Sequence, residues 1–239
     1  MKHSELSVII PVYNEVDNVT ALYHEISATL SNTVEQFEVI FVDDGSTDKT
    51  VARLQALARA ECKVRVVCHK KNAGQSAALL TGAKAARYSL LVTLDGDGQN
   101  DPADIPFLLA HHHPRTVVLG HRKKRQDHPL RKLSSTIGNG IRRWILDDGC
   151  PDTGCSLKLF SREAFLALPH FNHVHRFLPA LFKRAGFQLV IVPVHHRPRL
   201  HGLSKYGVMN RLFVGIYDLI GVRWLIKRPC APEVEQYEQ

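Results

Sequence analysis

Hydrophobic and polar positions along the first 120 residues alternate between two patterns. Short apolar runs predict buried strands, and apolar residues recurring at steps of three and four predict helices between them. The predicted strands are Leu6–Pro11, Phe37–Val42, Val64–Cys68, Ser89–Leu94 and Thr116–Gly120. The helices predicted between them include one after an N-cap at Asn14, one marked by Val51, Leu54 and Leu57, one over Gln75–Arg87 and one from Pro102. This alternation favours an α/β fold with a mostly parallel sheet.

The second half of the chain has a less regular pattern. The elements predicted there are an amphipathic helix over Pro129–Leu146, strands over Cys155–Phe160 and Phe187–Val194, a helix over Phe177–Arg184 and a polar loop over Leu200–Tyr206. An amphipathic segment, Tyr206–Arg228, follows. Its apolar run Leu212–Ile226 is broken by Asp218 and Arg223, so we expect no helix that spans a membrane.

Composition narrows the class of protein. With 239 residues, 44% hydrophobic and 23% charged, the chain is long enough for one large globular domain. The 31 Lys and Arg residues against 23 Asp and Glu give a formal charge of +8, which favours anionic partners. Five cysteines without a CxxC pair favour reduced thiols in a cytosolic setting. The polar N-terminus enters a strand directly, so we expect no secretory signal.

The most informative polar motifs follow the predicted strands. They are Tyr13-Asn14-Glu15, Asp43-Asp44, Asn72-Ala73-Gly74 and Asp95-Gly96-Asp97. In open α/β sheets ligands bind beyond the carboxyl ends of the strands, so the motifs predict one shared site. The sequence has no GxxxxGK[ST] phosphate loop and no glycine-rich dinucleotide fingerprint. The sequence therefore does not favour a kinase, an ATPase or a dehydrogenase.

Two acidic pairs are the first candidates for chemistry. Asp95 and Asp97 suit Mg²⁺ or Mn²⁺, which prefer oxygen ligands, and the alternative is a solvated acidic turn. Asp43 and Asp44 suit hydrogen bonds from a nucleobase or ribose, and the alternative is an Asx-turn that starts the next helix. Glu15 has the alternative of a first-turn acid favoured by the helix dipole.

Basic residues later in the chain are candidates for stabilising the charge of a diphosphate. They are Arg122, Arg131, Lys158, Arg199 and Lys205. The alternative for each is a solvated surface side chain. Nucleic-acid binding rests on the net charge alone, because no recognised motif is present and the aromatic residues do not alternate with basic ones. We therefore expect no nucleic-acid partner.

Together the motifs resemble those of the family 2 glycosyltransferases, in the branch of dolichyl-phosphate mannosyltransferases and bacterial polyprenyl-phosphate glycosyltransferases. The matching stretches run in family order over about residues 5–210. They are SVIIPVYNE (7–15), VDDGSTD (42–48), NAGQ (72–75), DGDGQ (95–99), GHR (120–122), DTG (152–154) and RLHGLSK (199–205). The resemblance implies a GT-A fold, a catalytic domain over residues 1–205 with an amphipathic segment and tail over 206–239, and an inverting transfer.

The resemblance also implies a role for each matching residue. The expected nucleoside contacts are Pro11, Tyr13, Glu15 and Asp43 or Asp44. The expected ligands of the metal and diphosphate are Asp95, Asp97 and Gln99. The residues expected around the diphosphate and the acceptor phosphate are Arg122, Arg131, Ser135 and Lys205, with Asp152 facing the acceptor. Further expected substrate contacts are Asn72, Gly74, Gln75 and Ser204.

The expected function is transfer of a sugar from a UDP- or GDP-sugar to a membrane lipid, polyprenyl phosphate, by a protein bound peripherally to the cytoplasmic face of a membrane. The alternatives are transfer to a hydroxyl of a glycan or lipopolysaccharide core, and non-catalytic nucleotide-sugar binding. Two departures matter. Many relatives carry C-terminal membrane-spanning helices, where this sequence has the amphipathic Tyr206–Arg228. The stretch DTGCSLK (152–158) replaces a shorter glycine-aromatic-basic turn.

Overall fold

The computed structural model describes residues 3–122, 140, 142–198 and 208–228. The strands in these ranges are β1 (His3–Val12), β2 (Val34–Asp43), β3 (Val64–Cys68), β4 (Leu90–Thr93), β5 (Thr116–Arg122), β6 (Lys158–Ser161) and β7 (Gln188–Val194). The helices are α1 (Val19–Leu30), α2 (Thr50–Ala60), α3 (Gln75–Ala85), α4 (Ile105–Ala110), α5 (Arg162–Leu166), α6 (Leu178–Arg184) and α7 (Val208–Lys227). Short 3₁₀ turns cover Pro102–Asp104 and Val174–Arg176.

The strands form one sheet in the order β3-β2-β1-β4-β6-β5-β7. Strands β3, β2, β1 and β4 are parallel, and β5 is parallel to β7. Strand β6 is antiparallel to both of its neighbours. Because of this direction, the first residue of β6, Lys158, pairs with Thr93 at the carboxyl end of β4. The loop before β6 is thereby brought to the carboxyl edge of the parallel strands.

Helices cover both faces of the sheet, and the core therefore has two layers. Successive residues of a strand point to opposite faces. In β1, Val8 and Ile10 belong to one apolar cluster and Ile9 to the other, and all three are buried. Helices α1, α2 and α4 supply buried residues to the first cluster, and α3, α5 and α6 to the second. This packing holds the strands, and the loops at their carboxyl ends, in fixed positions.

The sequence-based prediction of a mostly parallel α/β sheet is confirmed, with corrections at individual elements. The predicted strand Cys155–Phe160 is wrong at its start, because β6 begins only at Lys158, and the hydroxyl of Thr93 binds the carbonyl oxygen of Ser156 at 2.5 Å. The predicted N-cap is also wrong. Asn14 has φ 54° and hydrogen-bonds to the loop after β2, and α1 begins at Val19.

The predicted amphipathic segment at the C-terminus is helical over Val208–Lys227. Of the predicted helix Pro129–Leu146, the structure describes residues 140 and 142–146, which are helical. The predicted loop Leu200–Tyr206 and the domain boundary at residue 205 lie outside the described residues. None of the helices described is both long and apolar enough to cross a bilayer.

A buried carboxylate joins the strands at the edge opposite the predicted site. Glu38 on β2 is 3% exposed, and one of its oxygens accepts hydrogen bonds from the hydroxyl of Ser7 (2.7 Å) and the amide of Arg87 (2.6 Å). The other oxygen accepts from the guanidinium of Arg65 at 2.8 Å. Burial alone would raise the pKa of Glu38, but these hydrogen bonds outweigh it and hold the pKa below its ordinary value of 4.5.

Glu38→Gln should therefore destabilise the fold by about 2–3 kcal/mol at pH 7, because it leaves the Arg65 guanidinium without its buried counter-charge. The folded-state pKa is depressed, so the carboxylate stabilises the fold above its ordinary pKa and loses this effect as the pH falls below about 4.5. Urea unfolding at pH 7 and pH 3.5 measures this difference. An equal gap between the native protein and the variant at both pH values would contradict the assignment.

Candidate active site

The carboxyl ends of β1, β2, β3 and β4 bring the predicted motifs to one edge of the sheet. Tyr13 to Glu15 follow β1, and Asp43 and Asp44 lie at the end of β2. The loop before α3 follows β3, and Asp95 follows β4. Hydrogen bonds link neighbouring loops: Asp44 binds the β3–α3 loop, and Gln75 at the start of α3 binds Asp95. The predicted convergence at this edge is therefore present.

The loop after β1 is fixed by the loop after β2. The amide of Asn14 donates to Ser46 Oγ at 2.8 Å, and Asn14 Oδ1 accepts from the amide of Thr47 at 2.8 Å. The amide of Glu15 donates to Thr50 Oγ1 at 2.9 Å. Glu15 precedes α1, whose first turn contains no acidic residue, so the alternative reading as a first-turn acid is wrong. Its carboxylate instead accepts from Asn18 Nδ2 at 2.7 Å.

The two acids at the end of β2 have different surroundings. Asp44 accepts hydrogen bonds on Oδ1 from His69 and the amide of Ala73, and on Oδ2 from the amide of Gly74, all at 2.8 Å. Asp43 Oδ2 accepts from the amides of Gly45 and Ser46 at 3.1 and 2.9 Å, which is the predicted Asx-turn. Asp44 therefore uses both carboxylate oxygens to hold the loop between β3 and α3. Asp43 uses only one of its two oxygens, which stabilises the turn after β2.

The second oxygen of Asp43 is the feature that points to a ligand. Asp43 is 1% exposed, and its Oδ1 accepts no hydrogen bond from the described residues. A buried carboxylate oxygen without a donor is costly and calls for an explanation. A nucleobase N–H or a ribose hydroxyl of a bound molecule would provide the missing hydrogen-bond donor. Of the two acids, Asp43 is therefore the better candidate for the nucleoside contact.

The expected contacts Asn72 and Gly74 hold the β3–α3 loop in place. Asn72 Nδ2 donates to the carbonyl oxygen of Asp44 at 3.1 Å. The loops are so close that a Cβ on Gly45, which has φ +74°, would lie 2.7 Å from the amide nitrogen of Asn72. Gly74 has φ +91° and precedes α3. Both residues therefore contribute to positioning, and direct contact with substrate remains a prediction for each.

Residues 95–101, here called the carboxylate loop, contain the predicted metal ligands. Asp95 Oδ1 accepts from Gln75 Nε2 at 2.8 Å, and its Oδ2 accepts from the hydroxyl of Ser156. Asp97 is 7% exposed, and its Oδ1 accepts from the amide of Gln99 at 3.1 Å. Both carboxylates therefore have fixed orientations, as metal ligands require.

Close packing explains the small residue between the two acids. A Cβ on Gly96 would lie 2.6 Å from Val12 Cγ1 and 3.1 Å from the carbonyl oxygen of Pro11. The carboxylate loop therefore lies directly against the end of β1. Any larger residue at position 96 would push the two carboxylates away from the strand that carries the expected nucleoside contacts Pro11 and Tyr13.

The electrostatics of the carboxylate loop suit a cation. Burial and the charge of Asp97 raise the pKa of Asp95 to about 6, although the hydrogen bond from Ser156 and the charges of Lys158 and Arg122 act in the opposite direction. Two neighbouring carboxylates repel each other, and a divalent cation between them relieves this repulsion. The described residues contain no group of three or more acidic, His or Cys side chains placed to hold a metal. Mg²⁺ commonly takes one or two carboxylates and completes its shell with phosphate oxygens and water, so the pair fits an ion brought together with a diphosphate.

Two cations, the buried Lys158 and the partly buried Arg122, lie behind the carboxylate loop. Arg122 ends β5 and forms a bidentate ion pair with Asp152, with Nε–Oδ2 and Nη2–Oδ1 distances of 2.7 and 2.8 Å. Burial would lower the pKa of Arg122, but Asp152 raises it above its ordinary value. Lys158 is 5% exposed and donates to the carbonyl oxygens of Thr153 and Cys155, and burial lowers its pKa. Positive charge is therefore built into the protein beside Asp95.

The expected roles of the later residues change accordingly. Arg122 and Asp152 were expected to contact the diphosphate and the acceptor, and the structure adds that they contact each other. Sequence reasoning missed Ser156, which orients Asp95, and left Lys158 among several basic candidates. The signal was the polar stretch DTGCSLK directly before a short apolar run. Arg131, Ser135, Arg199, Ser204 and Lys205 lie outside the described residues, so their roles stay predictions.

Comparison with known proteins agrees with this fold. The model of the family described as glycosyl transferase family 2 matches residues 7–168, which is more than half of the chain. The chain belongs to this family, and the resemblance inferred from its motifs is confirmed.

Curated relatives narrow the branch. The chain is 35% identical over 234 residues to the dodecaprenyl-phosphate galacturonate synthase of Rhizobium johnstonii, covering 95% of this chain and 69% of that protein. It is 34% identical over 217 residues to the undecaprenyl-phosphate 4-deoxy-4-formamido-L-arabinose transferase of Edwardsiella ictaluri, covering 90% of this chain and 66% of the relative. The chain thus spans about two thirds of the length of these relatives.

A solved structure supports the GT-A assignment. The glucosyl-3-phosphoglycerate synthase of Mycobacterium tuberculosis, in complex with Mn²⁺, UDP and phosphoglyceric acid, superposes with a TM-score of 0.67 at 22% identity. The match covers 93% of this chain and 78% of that one. At this identity the likeness concerns the fold alone, and the expected GT-A type α/β fold is confirmed.

Proposed function

We propose that this chain transfers a sugar from a nucleoside-diphosphate sugar to polyprenyl phosphate, with inversion and with Mg²⁺ or Mn²⁺ at the carboxylate loop. The observation that carries the proposal is the pair Asp95 and Asp97, flanked by Arg122 and Lys158 at the carboxyl edge of the sheet. Two relatives that match 90% or more of the chain are named for polyprenyl-phosphate products or acceptors, which supports the choice of acceptor.

The donor would lie across the ends of β1, β2 and β4. Asp43 Oδ1 offers a buried acceptor for an N–H or O–H of the nucleoside. Asp43 pairs with Val12 at the end of β1, and the expected contacts Pro11, Tyr13 and Glu15 belong to this strand end and the loop after it. The diphosphate would then reach the carboxylate loop. Asp95 and Asp97 would hold a divalent cation here, and its charge would stabilise the leaving nucleoside diphosphate. Gln75 and Ser156 keep Asp95 oriented for this purpose.

The reaction forms one bond and breaks another. An oxygen of the acceptor phosphate attacks the anomeric carbon from the face opposite the diphosphate, and the electron pair of the breaking bond goes to the diphosphate oxygen. Arg122 contributes a fixed positive charge near this oxygen. With a second pKa of about 6, by analogy with phosphorylated side chains, a phosphate acceptor is mostly ionised at neutral pH and needs no general base.

The surroundings of Asp152 favour a phosphate acceptor over a hydroxyl. A hydroxyl acceptor needs a positioned base, which typically contributes about 10²–10⁴-fold in rate. Asp152 is 4% exposed, and both its oxygens accept hydrogen bonds from Arg122, so it would have to give up this ion pair to take a proton. Transfer to a hydroxyl of a glycan or lipopolysaccharide core is therefore the weaker candidate.

A thermal-shift screen tests the donor and the metal together. A ligand that binds the native state raises its stability by about 2.7 kcal/mol at a hundredfold excess over the dissociation constant. We expect UDP- or GDP-sugars to raise the melting temperature with Mn²⁺ and to lose most of this effect in excess chelator. No shift with any nucleotide would contradict the proposal.

We further propose that α7 docks this chain on the cytoplasmic surface of an anionic membrane. Its exposed stripe consists of Ile216, Tyr217, Ile220 and Trp224, each between 49% and 84% exposed. The opposite side of the helix packs on the core, with Val222 2% exposed. One side of α7 therefore packs on the core, and the other leaves apolar side chains exposed. Arg228 lies over the Trp224 ring at 5.9 Å, and Arg223 and Lys227 add positive charge.

Trp224→Ser should weaken binding to vesicles of anionic phospholipid about tenfold, because it removes a large apolar group from the stripe. Phe107→Ser is a matched control, since Phe107 is an aromatic residue of α4 that is 41% exposed outside the stripe. Vesicle co-sedimentation across a salt series measures both. Equal binding by the two variants would contradict docking through α7.

A further inference from the structure

The carboxylate loop is joined to a segment almost a hundred residues away in sequence. This segment, His195–Pro198, follows β7 and is here called the anchor segment. Asn100 and His196 form an antiparallel β-bridge, and the amide of Arg197 donates to the carbonyl oxygen of Gln99 at 2.9 Å. Two backbone contacts therefore hold the end of the carboxylate loop against the anchor segment.

Side chains strengthen this junction. Arg197 donates to Glu25 on α1 at 2.5 Å and pairs with Asp101 Oδ1 at 2.7 Å. The amide and Nδ1 of His195 contact the two oxygens of Asp104 at 2.7 and 2.8 Å. The guanidinium of Arg197 binds the carboxylates of Glu25 and Asp101 through separate nitrogens, a geometry that the single ammonium group of Lys lacks. Arg197 contacts the carboxylate loop through both its backbone and its side chain.

These contacts lead back to the predicted metal ligands. Gln99, whose carbonyl oxygen is held by Arg197, donates its own amide to Asp97 Oδ1 at 3.1 Å. Asn100, held by the bridge to His196, accepts the amide of Asp95 on its side chain at 3.3 Å. The positions of both carboxylates therefore depend on residues that the anchor segment fixes.

We propose that Arg197 is a positioning residue that fixes the carboxylate loop to the anchor segment, and thereby holds Asp95 and Asp97 in the arrangement that binds a metal together with a diphosphate. The proposal rests on the proposed function, because it needs a metal and a diphosphate at the carboxylate loop. Arg197 itself touches neither. Its effect passes through Gln99 and Asp101.

The competing explanation is an ordinary surface ion pair. The side chains of Arg197 and Glu25 are 39% and 46% exposed, and pairs of this kind stabilise proteins little. In that case removal of Arg197 would change neither metal binding nor catalysis. A second exposed ion pair, Lys183 with Asp147 at 3.1 Å, lies on α6 and provides the matched control.

The test compares Arg197→Ala, Arg197→Lys, Asp101→Asn and Lys183→Ala in the full chain. Asn is about as good an N-cap as Asp, so Asp101→Asn keeps the cap on Ala103 while removing the charge. Binding of Mn²⁺ is measured in the presence of UDP and, in parallel, of GDP. The readout is the decrease of the electron paramagnetic resonance signal of free Mn²⁺. Melting temperature and steady-state transfer are measured on the same samples.

We expect Arg197→Ala to weaken Mn²⁺ binding about tenfold, as loss of a residue behind a metal ligand does. The KM for donor should rise in step while kcat at saturating Mn²⁺ recovers, and the melting temperature should stay within about 2 °C. Asp101→Asn should follow the same trend, Arg197→Lys should restore part of the binding, and Lys183→Ala should behave like the native protein.

The outcomes separate the two proposals. If the native protein binds Mn²⁺ and Arg197→Ala binds it equally well, the role of Arg197 is wrong and the proposed function stands. An equal loss in Lys183→Ala, or a fall in melting temperature that accounts for the loss in Arg197→Ala, also overturns the positioning role. If the native protein binds no Mn²⁺ with either nucleotide, the metal site fails and the role of Arg197 fails with it.

Discussion

Replacing Asp97 with Asn should lower the rate of sugar transfer about a thousandfold while leaving the fold intact. A metal ion contributes several kcal/mol of charge stabilisation in the transition state, and each 1.36 kcal/mol is about tenfold in rate. Asn keeps the shape of the side chain and an oxygen that can accept the Gln99 amide at the 3.1 Å contact, so packing is retained. Loss of the neighbouring charge also removes one of the causes that raise the pKa of Asp95. The free energy of unfolding without metal should therefore stay equal or rise.

The control for this variant is Glu163→Gln on α5, which removes an exposed carboxylate away from the site. Transfer, Mn²⁺-dependent thermal shift and urea unfolding are measured for both. The thermal shift with donor and Mn²⁺ should disappear only in Asp97→Asn. The metal assignment would be contradicted if Asp97→Asn still transferred sugar and excess chelator did not reduce this transfer.

The second large effect concerns the Arg122–Asp152 ion pair. Asp152→Asn should lower the free energy of unfolding by about 3 kcal/mol, because it leaves a guanidinium that is only 11% exposed without its counter-charge. Arg122→Met should lower the free energy of unfolding by a similar amount, because the buried carboxylate of Asp152 then loses the guanidinium that neutralises it. The double variant removes both charges, so its loss should be smaller than the sum by about 2 kcal/mol.

Activity should separate from stability in this double-mutant cycle. The double variant lacks the cation that we propose to lie near the diphosphate, so its transfer rate should fall about a hundredfold even where it is folded. Asp152→Asn, assayed well below its melting temperature, should keep a substantial fraction of the native rate with polyprenyl phosphate, since that acceptor needs no base. Urea unfolding and single-turnover transfer over pH 5–9 are the measurements. Additive stability losses would contradict the ion pair, and a thousandfold rate loss in folded Asp152→Asn would favour a hydroxyl acceptor.

Periodicity in the sequence was sufficient to predict the parallel half of the sheet. Each of β1 to β4 overlaps its predicted apolar run, although β1 and β2 begin three residues before theirs, and each strand is followed by the polar motif that lies at the site. The convergence of Asp43 and Asp95 at one edge follows from the parallel direction of these strands. The pattern also predicted the amphipathic C-terminal helix, although not which of its faces stays exposed.

Contacts between distant segments account for what the sequence did not reveal. Strand β6 has four residues, starts with a buried lysine and runs antiparallel, so its apolar run was extended too early and Ser156 was overlooked. The local pattern predicted Asn14 as an N-cap. Asn14 instead hydrogen-bonds to Ser46 in the loop after β2, so it does not cap α1. Arg197 lies about a hundred residues from its partners in the carboxylate loop, and no local pattern links them.

The most direct test of the proposed function is a single-turnover assay with two acceptors that differ only in the phosphate. Purified protein, Mn²⁺ and a labelled UDP- or GDP-sugar are offered polyprenyl phosphate or the matching polyprenol in vesicles of anionic phospholipid. We expect label to enter the lipid phase only with polyprenyl phosphate, with an inverted anomeric centre, and to stop when chelator is added. Transfer to the polyprenol or another hydroxyl instead, or donor binding without transfer to any acceptor, would contradict the function proposed for this chain.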